Sequence, residues 1–123
     1  MKYLIMVHSN PRSLAHWETL TDEQRMAFGR AHYALTDALL DSGQLITSEG
    51  LADVSTAKRV TTRDGEIVAT DGPFAEVKEY LAGFYLVECA DMDEAVAIAA
   101  RVPDAAFNDV DVRPVFERSV LED

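Results

Sequence analysis

Two short segments of this chain are apolar at every position, and they restrict the possible folds more than any other feature. Tyr3-Leu4-Ile5-Met6-Val7 and Phe84-Tyr85-Leu86-Val87 are continuous runs dominated by strand-forming residues. A strand points successive side chains to opposite faces, so a half-exposed strand alternates apolar with polar residues. These two runs are apolar on both parities, and each therefore needs cover on both faces.

The rest of the chain divides around them. Thr21 with Gln24 forms a capping-box pattern, and Asp22 and Glu23 suit the positive end of a helix dipole. Phe28, Ala31, Leu35, Ala38 and Leu39 then recur on one helical face, with Arg30, Asp37 and Asp41 opposite and Gly43 as the terminator. Leu45-Ile46-Thr47 opens a strand that stops near Gly50. A second helix starts at Asp91 with Glu94 in capping-box position, and Met92, Ala95, Val96, Ala99 and Ala100 predict its core-facing stripe. Pro103 stops it, and Val110-Asp111-Val112-Arg113 before Pro114 reads as an edge strand. Asn10-Pro11 closes the first strand, which leaves His16 and Trp17 in a connection.

Between the inner strands, Lys58 to Thr62 and Glu66 to Thr70 flank Arg63-Asp64-Gly65. An Asp-Gly pair between β-prone segments predicts a hairpin, because both central residues of a type I′ turn need positive φ. This hairpin is polar and belongs at the periphery. The remaining order is strand, helix, strand, strand, helix, strand. Right-handed crossovers fold that order into an α+β ferredoxin-like βαββαβ plait, with both helices on one face of an antiparallel sheet and the hairpin inserted. One domain over residues 1–123 is expected. Two helices cover only one face, so a homodimer through the helix-free face is predicted.

Charge excludes some partners. The formal net charge is −11, from 11 basic against 22 acidic residues. A nucleic-acid partner is disfavoured, because phosphate binding rests on Lys and Arg, and an anionic membrane is disfavoured for the same reason. No stretch approaches the roughly 20 apolar residues of a membrane span. Cys89, the single cysteine, lies in an apolar run, which fits a reducing compartment and a cytoplasmic location. No Cys cluster and no H-x-x-x-H spacing among His8, His16 and His32 points to a metal, and no Gly-rich phosphate loop or G-x-S-x-G elbow is present, so no cofactor is expected.

One motif is long enough to identify a family. Asp71-Gly72-Pro73-Phe74-Ala75-Glu76-Val77-Lys78-Glu79, followed by Leu81-Ala82-Gly83-Phe84-Tyr85-Leu86, resembles the DGPF branch of the YCII-related family. Asp91-Met92-Asp93-Glu94-Ala95, the opening Met1-Lys2-Tyr3-Leu4 and the closing Val112-Arg113-Pro114 fit as well, so the resemblance spans the chain. It implies a dimeric α/β-barrel arrangement. Related proteins use a His–Asp pair, one relative in chloroaromatic breakdown is a dehydrochlorinase, and other DGPF-type proteins are associated with sigma factors.

Site candidates follow from both sources. His32 sits at the edge of the Phe28/Leu35/Leu39 face, where an imidazole titrating near neutrality suits acid–base work, and the resemblance places a family histidine there. The stretch matching the family's acid partner reads Leu45-Ile46-Thr47-Ser48, so Asp71 of the DGPF loop becomes the candidate carboxylate, with an Asx-type turn as its structural alternative. Phe74, Glu76, Lys78 and His8 are candidate ligand-binding residues, set against core plugging for Phe74 and a solvated rim for the charges. Two functions remain open: a small-molecule enzyme using His-based acid–base chemistry on an aromatic or carbonyl compound, or a non-catalytic dimeric module that binds a metabolite or a protein such as a sigma factor.

Overall fold

Local caps and turns set the element order. The computed structural model describes residues 1–74 and 76–121, so Ala75 of the DGPF motif lies outside the described residues. Its elements are β1 (Lys2–Ser9), α1 (Pro11–Glu18), α2 (Asp22–Asp41), β2 (Leu45–Gly50), β3 (Lys58–Arg63), β4 (Glu66–Asp71), β5 (Tyr80–Glu88), α3 (Met92–Ala99) and β6 (Val110–Pro114). Thr21 Oγ1 accepts from the Gln24 amide at 3.1 Å, and Gln24 Oε1 accepts from the Thr21 amide at 2.8 Å, which completes the expected capping box of α2.

Where a connection is expected after β1, the chain forms a helix instead. Asn10 Oδ1 accepts from the Ser13 amide at 2.9 Å, and Ser13 Oγ accepts from the Asn10 amide at 3.0 Å. Pro11 occupies the first helical position, where its missing N–H is not needed. The same Asn-Pro step that ends β1 thus also starts α1. The hairpin forms as expected, with Asp64 at φ 52° and Gly65 at φ 83°.

Four strands make one antiparallel sheet in the order β2-β5-β1-β6, the ferredoxin-like plait, while among the described residues β3 and β4 form a separate two-stranded ribbon. Tyr3 lies opposite Val87, and Ile5 lies between Tyr85 and Val112, so these side chains share one face. That face packs with Leu35 and Leu39 of α2 and with Ala95, Ile98 and Ala99 of α3 in the buried core. The inward stripe of α3 differs from the expected one. Ile98 is buried and Val96 is 51 % exposed, because the short helix turns its 95/98/99 edge to the sheet. On the other parity Leu4 faces Leu86 and Met6 faces Phe84. These four are only half-buried and contribute nothing to the core cluster. No helix among the described residues is long and apolar enough to cross a membrane.

The two sheets differ sharply in burial. Leu39 is fully buried, whereas Ile67 on the two-stranded ribbon is 78 % exposed. Leu39→Ala is expected to destabilise the chain by about 2–5 kcal/mol, and Ile67→Ala to change stability by no more than about 0.5 kcal/mol. Denaturant unfolding measures both, and a large loss for Ile67→Ala would show that the ribbon packs into the core.

Candidate active site

The centre of α2 presents a histidine to two other parts of the chain. His32 follows Phe28 by one turn and precedes Leu35 and Leu39 on the inward face, so helical spacing directs its ring toward the sheet. Its Nδ1 lies 2.6 Å from the Tyr85 hydroxyl, and its Nε2 lies 2.7 Å from Asp104 Oδ1. Tyr85 is an inward residue of β5. Asp104 belongs to a 3₁₀ turn, Pro103–Ala106, and is only 7 % exposed. Phe28 meets the imidazole edge-on, with ring centroids 5.0 Å apart.

The chemistry of the three groups orders the protons. A carboxylate only accepts, so Asp104 takes the hydrogen of Nε2. With the imidazole neutral and its hydrogen on Nε2, Nδ1 holds the lone pair and can accept the Tyr85 O–H, for which the His32 carbonyl at 3.4 Å is a second acceptor. The result is a chain running from carboxylate through imidazole to phenol. Burial pushes the Tyr85 phenol up to about 12; a neighbouring Thr36 hydroxyl works against the shift, and the Asp104 carboxylate adds to it.

The chain of contacts borders a cavity of about 560 Å³. Its walls include Gly29, His32 and Tyr33 of α2, Ser48 and Gly50 of β2, Gly83 and Tyr85 of β5, and Asp104. Thr36 and Ser48 hydroxyls, 3.3 Å apart, supply further polar atoms near one side. A pocket of this size whose lining mixes apolar and polar groups is suited to a small organic ligand.

Of the residues singled out from the sequence, His32 lines this cavity, and the others lie elsewhere. Asp71 ends the ribbon, is 78 % exposed at its side chain and pairs with Lys58. Phe74 lies beneath the Arg59 guanidinium, 3.8 Å from ring centroid to charge centre, and Arg59 also bonds Glu76 at 2.6 Å. Lys78 is exposed. Gly72 carries the tightest contact of the motif, since a Cβ there would stand 2.8 Å from the Val54 carbonyl oxygen. The DGPF segment therefore works in this chain as a buckle at the ribbon's base. His8 joins a separate polar cluster, with Nε2 3.0 Å from Asp111 Oδ2 and Nδ1 3.8 Å from Glu79 Oε1. His16 stacks on Phe107 at 3.9 Å. Among the described residues no three His, Cys, Asp or Glu side chains gather as a metal site.

Asp104 and Tyr85 are the residues that sequence reasoning missed. Asp104 follows the proline that stops the second helix and belongs to no motif, and Tyr85 sits within an apolar strand. The available signal was register: pairing the two apolar runs antiparallel with Ile5 inward carries Tyr85 to the same face as α2.

Comparison with known proteins agrees with this architecture. The YCII-related domain family matches residues 1–119. An uncharacterised protein of Rhizobium meliloti (strain 1021) is 32% identical over 117 residues, covering 94% of this chain and 92% of that protein. In three dimensions the chain is similar to 5-chloro-2-hydroxyhydroquinone dehydrochlorinase (TftG) from Burkholderia phenoliruptrix AC1100, solved in complex with 2,5-dihydroxybenzoquinone. The TM-score is 0.56 at 17% identity, over 98% of each chain.

The raised Tyr85 value has a consequence at high pH. The unfolded phenol ionises near its ordinary 10, while the folded one holds its proton to about 12. Its contribution to stability is complete below pH 10 and is lost as pH rises toward 12. Tyr85→Phe is expected to flatten the fall in melting temperature across that window, and an unchanged slope would contradict the buried phenol.

Proposed function

This chain belongs to the YCII-related family, and we propose that it is a small-molecule enzyme that moves protons on a ring compound bearing hydroxyl or carbonyl groups. One observation carries this reading: two short hydrogen bonds meet at His32 on a cavity wall and order an acid, a base and a phenol. The ring class comes from the fold neighbour, which acts on a chlorinated hydroxyhydroquinone.

The proposed proton path is direct. A ligand hydroxyl seated against the Tyr85 oxygen gives its proton to that oxygen while the phenol passes its own to His32 Nδ1. The imidazolium so formed is stabilised by Asp104 across 2.7 Å. The two transfers move together, because burial disfavours a free tyrosinate. The reverse sequence delivers a proton to a ring carbon or carbonyl. Asp104 holds the imidazole tautomer, His32 is the base, and Tyr85 is the group that faces the ligand.

We also propose a homodimer through the half-buried parity of the sheet. Leu4, Met6, Phe84 and Leu86 form a contiguous apolar surface across β1 and β5, and a second copy of the same face is the simplest cover. A non-catalytic module is the second reading. Met26, Tyr33 and Leu40 of α2, 63 %, 74 % and 57 % exposed, favour it by forming an apolar stripe at seven-residue spacing. Under that reading a protein partner docks on the stripe and no ring compound is turned over.

Chloride release from 5-chloro-2-hydroxyhydroquinone tests the enzyme reading. His32→Gln and Asp104→Asn, which keep a polar partner in the contact, are each expected to lower turnover by about 10²–10⁴-fold, with near-ultraviolet circular dichroism checking the fold, and turnover unaffected by His32→Gln would contradict the mechanism. Light scattering tests the dimer: Met6→Asp is expected to convert a dimeric mass into a monomeric one, and a wild-type monomer would contradict the interface.

A further inference from the structure

The cavity is wide because side chains are missing from two of its walls. Gly29 of α2 and Gly50 of β2 both line it, and a Cβ built on either would meet no atom within 4 Å. The backbone does not call for glycine at these positions. Among the described glycines, those at positive φ are Gly43 and Gly65. Gly29 lies well inside α2, where glycine is less favourable than alanine, and Gly50 is the last residue of β2. Gly83 on the cavity floor has a different explanation. A Cβ there would stand 2.9 Å from the Glu49 carbonyl oxygen, so that glycine allows β2 and β5 to approach.

Gly29 therefore weakens its helix, neither glycine is called for by positive φ or by a close contact at its Cβ position, and both line the cavity that holds His32, Tyr85 and Asp104. We infer that Gly29 and Gly50 are specificity-determining residues that hold the cavity open, from the helix wall and the sheet wall, for an uncharged hydroxylated ring ligand too broad for alanine walls. The charge of the ligand follows from the lining. Its inward side chains include the Asp104 carboxylate and no Lys or Arg among the described residues, so a carboxylate or phosphate on the ring meets no Lys or Arg to pair with. This inference rests on the acid–base reading and names its ligand class.

Calorimetric titration of the full chain with three probes tests it: hydroquinone, 2,7-dihydroxynaphthalene and 2,5-dihydroxybenzoate. Wild type is expected to bind both diols and to bind the carboxylate about tenfold more weakly than hydroquinone. Gly29→Ala and Gly50→Ala are each expected to weaken the naphthalene diol by about tenfold or more while changing hydroquinone little. Gly29→Ala is also expected to melt about 3 °C higher, as alanine favours the helix. Equal affinity of wild type and both alanine variants for the naphthalene diol would overturn the inference alone, leaving the His32 turnover result untouched. A lower melting temperature for Gly29→Ala would assign that glycine to packing and also overturn it. Equal binding of the carboxylate would overturn the charge assignment, and wild type that binds neither diol would overturn the ligand class together with the reading it rests on.

Discussion

Asp104 accepts a hydrogen bond from His32 across 2.7 Å, and three distant parts of the chain keep their relation through that contact. The carboxylate rides on a 3₁₀ turn anchored by Val102, which is 2 % exposed, and by the Asn108 amide, which donates to the Asp104 carbonyl at 2.9 Å. The imidazole comes from the middle of α2, and through Nδ1 it reaches Tyr85 on the sheet. A carboxylate this buried needs a partner, and the partner it has is the imidazole on the cavity wall. Removing Asp104 would free the imidazole to invert its tautomer, and with it the direction of the Tyr85 hydrogen bond. Structural and chemical demands thus meet in one contact.

The sheet supports this arrangement unequally on its two faces. Tyr3, Ile5, Val7 and Val87 fill the side under the helices and fix where Tyr85 must stand. Toward the β2 edge, small residues replace large ones, and the cavity opens there. The chain packs a dense core under α3 and the C-terminal half of α2, and leaves space under the N-terminal half of α2. The opposite face, with Leu4, Met6, Phe84 and Leu86, is left with apolar surface that its own helices do not cover.

Much of the fold was legible in the sequence because it is written locally. Thr21 with Gln24, Gly43, and Asp64-Gly65 each announce a boundary through the backbone chemistry of a few residues. The β1–β5 core was legible because apolar residues on both parities admit few arrangements. Helix α1 was hidden because Asn10-Pro11 serves two elements at once, and its capping partner Ser13 is an unremarkable residue out of context. His32 was visible from its place on the helical face. Its partner was not, since Asp104 is 72 positions away in sequence and acquires its role from burial alone. Asp71 drew attention through a family motif, and the structure gives it a Lys58 partner at the ribbon's end. Gly29 offered the clearest unread clue, a glycine inside an otherwise good helix with no turn to explain it.

The proposed proton path requires Asp104 to fix His32 with its proton on Nε2 and its lone pair aimed at Tyr85. Long-range proton–nitrogen correlation NMR on protein labelled with ¹⁵N at histidine reads that tautomer for each of the three imidazoles. His32 in neutral solution is expected to show a protonated Nε2 and a bare Nδ1, and to lose this pattern in Asp104→Asn. A His32 protonated at Nδ1 in the wild type, or one indifferent to Asp104, would contradict it.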